Sequence, residues 1–66
     1  MPQFLIKNLL TRRRAVKLTQ FEVASRIGVS LRAYQAWERR EYLPSLRNLV
    51  KWGCALGMKL RFVVND

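Results

Sequence analysis

The segment from Leu18 to Arg39, LTQFEVASRIGVSLRAYQAWER, constrains this chain more than any other. Thr19 is a good N-cap residue and Glu22 follows three positions later, the spacing of a capping box that closes the start of a helix. Val23, Ala24 and Ile27 then recur at helical spacing. Gly28 supplies the residue type that ends a helix in a left-handed cap. Val29 is expected to plug inward, and Ser30 caps a second helix running from about Leu31 to Arg39. Two short helices joined by a tight turn that holds a glycine make a helix-turn-helix.

The flanking sequence adds two further helices. Pro2 is tolerated in a first turn, and Phe4, Leu5, Leu9 and Leu10 recur at spacings that predict a helix from about Pro2 to Val16. Arg12, Arg13, Arg14 and Lys17 load its C-terminal end, where cations suit the helix dipole. Beyond Arg39 a polar connector reaches Pro44. Ser45 then caps a fourth helix whose expected apolar face is Leu46, Leu49, Val50, Gly53 and Leu56, ended by Gly57.

The last residues change period. Met58, Leu60, Phe62 and Val64 alternate with Lys59, Arg61, Val63 and Asn65, the pattern of a half-buried strand. No second strand is legible to pair with it, and an unpaired strand leaves backbone donors and acceptors unsatisfied. Antiparallel pairing with its own copy across a two-fold axis answers that need, with a frayed tail or a final helix as the alternatives. The expected organisation is therefore an all-α four-helix domain over residues 1–57 and a dimerising strand over 58–66.

Charge sets the partner class. Thirteen Lys and Arg against four Asp and Glu give a net charge of +9 on 66 residues, which implies a polyanion. No apolar run approaches the ~20 residues that span a bilayer, so nucleic acid is favoured over membrane. The N-terminal basic run follows its apolar residues, the reverse of a secretory signal. A single cysteine, Cys54, allows no internal disulfide and suits a reducing cytoplasm; beside Ala55 it reads as a small apolar filler. With no histidine, no paired carboxylates and no glycine-rich phosphate loop, the sequence offers no enzymatic, metal or cofactor site.

On the second motif helix, Tyr34 and Trp37 share one face and read as core. Arg32, Gln35, Leu31 and Ala36 lie on the outward flank, where such a helix meets base edges. Arg32 can grip guanine O6 and N7 with two hydrogen bonds, and Gln35 can read adenine or contact a phosphate. Leu31 and Ala36 can touch thymine methyls, while Ala33 permits close approach. Arg39, Arg40 and Arg47 are placed to hold phosphates, with Arg12 and Lys17 on the other side.

The stretch from Arg13 to Leu60 resembles the Xre family of bacterial and phage regulators, which includes Cro and lambda-repressor-like domains. The resemblance rests on Arg13, Leu18-Thr19-Gln20, Ala24, Ile27-Gly28-Val29-Ser30, Tyr34, Trp37-Glu38-Arg39, Pro44-Ser45-Leu46, Leu49 and Ala55-Leu56-Gly57. It implies a compact helical DNA-binding fold, a DNA-backbone and bracing role for Gln20, and an internal ion pair between Arg13 and Glu38. The MKLRFVV ending is similar to HipB-type antitoxins, whose short C-terminal strand pairs between protomers. Lys17 and Arg40 stand where the family often has glycine, which suggests altered local turns and adds positive charge.

The expectation is a cytoplasmic, sequence-specific DNA-binding regulator acting as a homodimer on a palindromic operator in double-stranded DNA. It is either an antitoxin that autoregulates its operon or a phage or mobile-element repressor. The alternatives are an interaction module that neutralises a toxin protein, with DNA binding secondary, and a basic architectural or RNA-binding protein.

Overall fold

A computed structural model describes residues 2–59. Four helices follow in order: α1 (Pro2–Ala15), α2 (Gln20–Ile27), α3 (Leu31–Glu38) and α4 (Leu46–Ala55). The expected residues start them. The Thr19 hydroxyl accepts from Glu22 N–H, and the Glu22 carboxylate accepts from Thr19 N–H, so both halves of the capping box are made. Ser30 accepts from Ala33 N–H and Ser45 from Asn48 N–H at the starts of α3 and α4.

All four helices end the same way. A residue with positive φ follows each: Lys17 at 59°, Gly28 at 87°, Arg40 at 62° and Gly57 at 73°. The next N–H then reaches back to a carbonyl five residues earlier: Leu18 to Arg13, Val29 to Ala24, Glu41 to Ala36 and Met58 to Gly53. That bond satisfies a carbonyl which the helix end would otherwise leave orphaned. Glycine takes this conformation freely, whereas a side chain makes it costly. Lys17 and Arg40 adopt it nonetheless, so the sequence expectation of altered turns gives way to left-handed turns held by bulky cations.

The core forms where α2 packs on both α3 and α4 and α1 lies against α3. Ile6, Leu9, Val23, Ala24, Ile27, Tyr34, Trp37, Trp52 and Leu56 make one cluster. Its centre is aromatic: Tyr34 meets Trp52 edge-on at 5.1 Å and Trp37 at 6.1 Å, and the two indoles lie 5.8 Å apart. Those centroid separations fall in the favourable range for aromatic pairs.

Two helix faces differ from expectation. On α1 the inward residues are Ile6 and Leu9, and Phe4 is 71% exposed. Two residues from Ile6 is about 200° around a helix, so Phe4 and Ile6 cannot share a face. On α4 the buried residues are Trp52 and Gly53 with Leu56 just beyond, while Leu46 is 61% exposed and Val50 lies at the surface. Trp52 fixes the rotation of α4 because its ring displaces smaller side chains from the centre. Cys54 is exposed, not an apolar filler.

Met58 was expected to begin the dimerising strand. It instead packs against the core and its N–H closes the end of α4. Leu60, Phe62 and Val64, the rest of that expected strand, lie outside the described residues.

Candidate nucleic-acid interface

One carboxylate sets the position of α3. Glu38, in its last turn, accepts from Arg13 Nε at 2.7 Å and Nη2 at 3.3 Å, from Gln20 Nε2 at 2.8 Å, and from the Tyr34 hydroxyl. Arg13 also donates Nη1 to the Leu18 carbonyl at 2.9 Å. The network therefore joins α1, the turn after it, α2 and α3 around a side chain that is only 7% exposed. Burial alone would push the Glu38 carboxyl up, but the bonds from Tyr34, Arg13 and Gln20 together pull it below its ordinary value. Burial, and then the bond to Glu38, push the Tyr34 phenol well above its usual range. Burial works against the Arg13 charge, yet contact with Glu38 raises its pKa. The ion pair is thus held charged at neutral pH.

Gln20 links this network to the outward surface. Its Nε2 donates to Glu38, and its Oε1 accepts from Gln35 Nε2 at 3.1 Å. Gln35, half-buried, is thereby oriented from α2.

With Tyr34 and Trp37 inward, α3 turns Leu31, Arg32, Gln35 and Arg39 outward. Arg32, Arg39 and Arg40 are exposed, and Leu31 is 36% exposed. Ala36 is a correction to the base-contact set. It is 8% exposed, because the left-handed turn at Arg40 folds Glu41 back to its carbonyl and covers that flank of α3. An open cleft of about 610 Å³ results, with Arg32 and Arg39 along α3, Ala33 and Ala36 at its base, and Glu41 and Tyr42 on the connector.

Four further cations divide into two groups. Lys17 and Arg47 are exposed, and neither takes part in an ion pair among the described residues. Arg12 was expected to meet phosphate. Its side chain is exposed and its Nε donates to the Leu56 carbonyl at 3.0 Å, while Arg26 Nη1 donates to the Ala55 carbonyl at 3.1 Å. Two arginines from α1 and α2 thus cap the C-terminus of α4, where cations oppose the helix dipole. The sequence signal for Arg26 was absent, since only the fold brings it 29 residues forward to its acceptor. Glu41 and Tyr42 were also missed, because a polar connector gives no sign of which way it folds.

The geometry is that of a helix-turn-helix regulator of the Xre type: a second motif helix anchored by its last turn and presenting a polar, basic flank. Residues 9–63 match the helix-turn-helix family, and the chain belongs to it. It is 39% identical over 54 residues to the cryptic phage CTXphi transcriptional repressor RstR of Vibrio cholerae serotype O1 (strain ATCC 39315 / El Tor Inaba N16961), covering 82% of this chain and 48% of that protein. The chain therefore spans about half the length of this curated relative. No solved structure gives a significant match. Among the described residues, no cluster of His, Cys, Asp and Glu is placed to hold a metal ion, and no helix is long and apolar enough to cross a membrane.

Proposed function

We propose that this chain is a sequence-specific DNA-binding transcriptional repressor that acts as a homodimer on a two-fold symmetric operator. The observation that carries the reading is the anchoring of α3. Glu38, an anion that would repel phosphate if it faced DNA, is turned inward to Arg13, Gln20 and Tyr34, which leaves Arg32 and Gln35 on the outward flank. In this reading α3 enters the major groove. Arg32 donates two hydrogen bonds to a guanine, Gln35 reads an adenine, and Leu31 meets a thymine methyl.

Lys17, Arg39, Arg40 and Arg47 neutralise phosphates, and Gln20 opens α2 where helix N–H groups favour an anion. The strain at Lys17 and Arg40 supports this assignment, since a left-handed residue that is not glycine persists where something other than local stability favours it. The similarity to a phage transcriptional repressor favours the phage or mobile-element reading over the antitoxin one.

Selection from a pool of randomised duplexes tests the proposal. The expected product is a palindromic site whose half-sites lie about 10 base pairs apart, centre to centre. Salt-sensitive binding that enriches no sequence would instead mark a basic architectural protein.

A further inference from the structure

Three carboxylates lie among the described residues, and two have internal partners: Glu22 caps α2 and Glu38 anchors α3. Glu41 is the third. Its side chain is 51% exposed on the same surface as Arg32, Arg39 and Arg40, where it opposes the attraction that the cations create. Its place is built by the backbone. The left-handed Arg40 returns Glu41 N–H to the Ala36 carbonyl at 3.0 Å, and its carboxylate then accepts from Arg39 Nε. Both residues line the cleft along α3.

We infer that Glu41 is a specificity-determining residue that holds Arg39 in an ion pair and withholds it from phosphates until α3 is seated on its correct site. The inference rests on the DNA-binding reading. An arginine already paired with a carboxylate brings no net charge to a polyanion, so on random DNA the Arg39–Glu41 unit adds little. The pair is solvent-exposed, and such pairs are weak enough to be exchanged. When base contacts from Arg32 and Gln35 draw α3 into the groove, a phosphate at contact distance displaces Glu41 from Arg39. The exchange takes place at matched sites and not at mismatched ones.

The test is Glu41→Gln, with Arg39→Ala and the double variant, measured on a random-sequence duplex of about 20 base pairs and on the selected site over a range of salt. Glu41→Gln should tighten random binding about 3- to 10-fold, steepen its logarithmic salt slope by about 0.9, the value for one phosphate, and lower the selected-to-random ratio. In the Arg39→Ala background the same substitution removes an unpaired carboxylate, so it should tighten both duplexes alike and leave the selected-to-random ratio unchanged. A selected-to-random ratio that falls as far without Arg39, or a gain equal on both duplexes in the parent background, means general repulsion by the carboxylate and overturns the inference. In the unbound chain, Glu41→Gln should shift the Arg39 Nε–H resonance, and an unmoved signal overturns it independently. If the unsubstituted chain binds neither duplex, the DNA-binding reading itself fails and this inference with it.

Discussion

The Tyr34 hydroxyl donates to the carboxylate of Glu38, one helical turn further along α3, and Arg13 holds that same carboxylate from α1. A single anion thus fixes both the packing of the central aromatic residue and the rotation of α3, the helix proposed to face DNA. Removing one partner from a largely buried pair leaves the other uncompensated. Glu38→Ala should destabilise the domain by about 3 kcal/mol, a large share of what a chain of this size commands. Chemical denaturation measures it, and a loss under about 1 kcal/mol, the scale of an exposed pair, would show the network to be marginal.

The pH dependence follows from the same group. Glu38 has a depressed pKa, so its contribution is complete at neutral pH. It begins to fall as the pH drops past the ordinary value of 4.5 and is gone once Glu38 itself is protonated. Thermal melts between pH 7 and pH 2 should show this acid limb, and Glu38→Gln should flatten it. An unchanged limb in the variant would assign acid sensitivity elsewhere.

Lys17 and Arg40 occupy left-handed positions at the ends of α1 and α3. Replacing either with glycine relieves about 1–2 kcal/mol of local strain, offset by the greater freedom of glycine in the unfolded chain. Each substitution should raise stability by about 0.5 kcal/mol. Lys7→Gly within α1 should lower it by about 1 kcal/mol. Arg40→Gly should also weaken selected and random DNA alike, so that stability and binding move in opposite directions. Equal destabilisation at all three sites would remove the strain argument.

Trp52 is fully buried, and its Nε1–H, which interacts with Tyr34, makes no hydrogen bond of normal geometry. Trp52→Ala should cost about 3–5 kcal/mol and leave little folded protein. Trp52→Phe loses ring area but also removes a buried, poorly paired donor, so its cost should be nearer 1 kcal/mol. A phenylalanine variant as damaged as the alanine one would mean that ring volume alone matters at this position.

Local signals carried most of the fold. Thr19, Ser30, Ser45 and Gly28 mark helix ends through chemistry confined to a few neighbouring residues, and the elements begin and end where those residues stand. Tyr34 and Trp37 were legible as core from spacing alone. Trp52 was not, because the periodicity of α4 is equally well drawn through Leu46 and Val50, and the packing partner that decides between them is distant in sequence. The same limit applies to the site. Arg32 and Gln35 lie where helical phase puts them, whereas Ala36, Arg12 and Glu41 depend on how the connector and the end of α4 fold back.

Association can be tested apart from folding. A chain ending at Lys59 keeps Met58, which closes α4, and loses Leu60 to Val64. If that segment pairs across a two-fold axis, sedimentation should find a folded monomer with much weaker binding to a palindromic duplex. A persisting dimer would shift attention to the exposed apolar residues Tyr42, Leu43 and Leu46.

The central claim is that the outward flank of α3 reads bases, and Arg32→Ala measures it most directly. On the duplex selected by the unsubstituted chain, the variant should lose about 1–3 kcal/mol of binding free energy. A second selection should relax preference at one base pair in each half-site, with random-sequence affinity falling far less. Equal losses on selected and random duplexes, with the selected motif unchanged, would make Arg32 a phosphate contact and contradict the account.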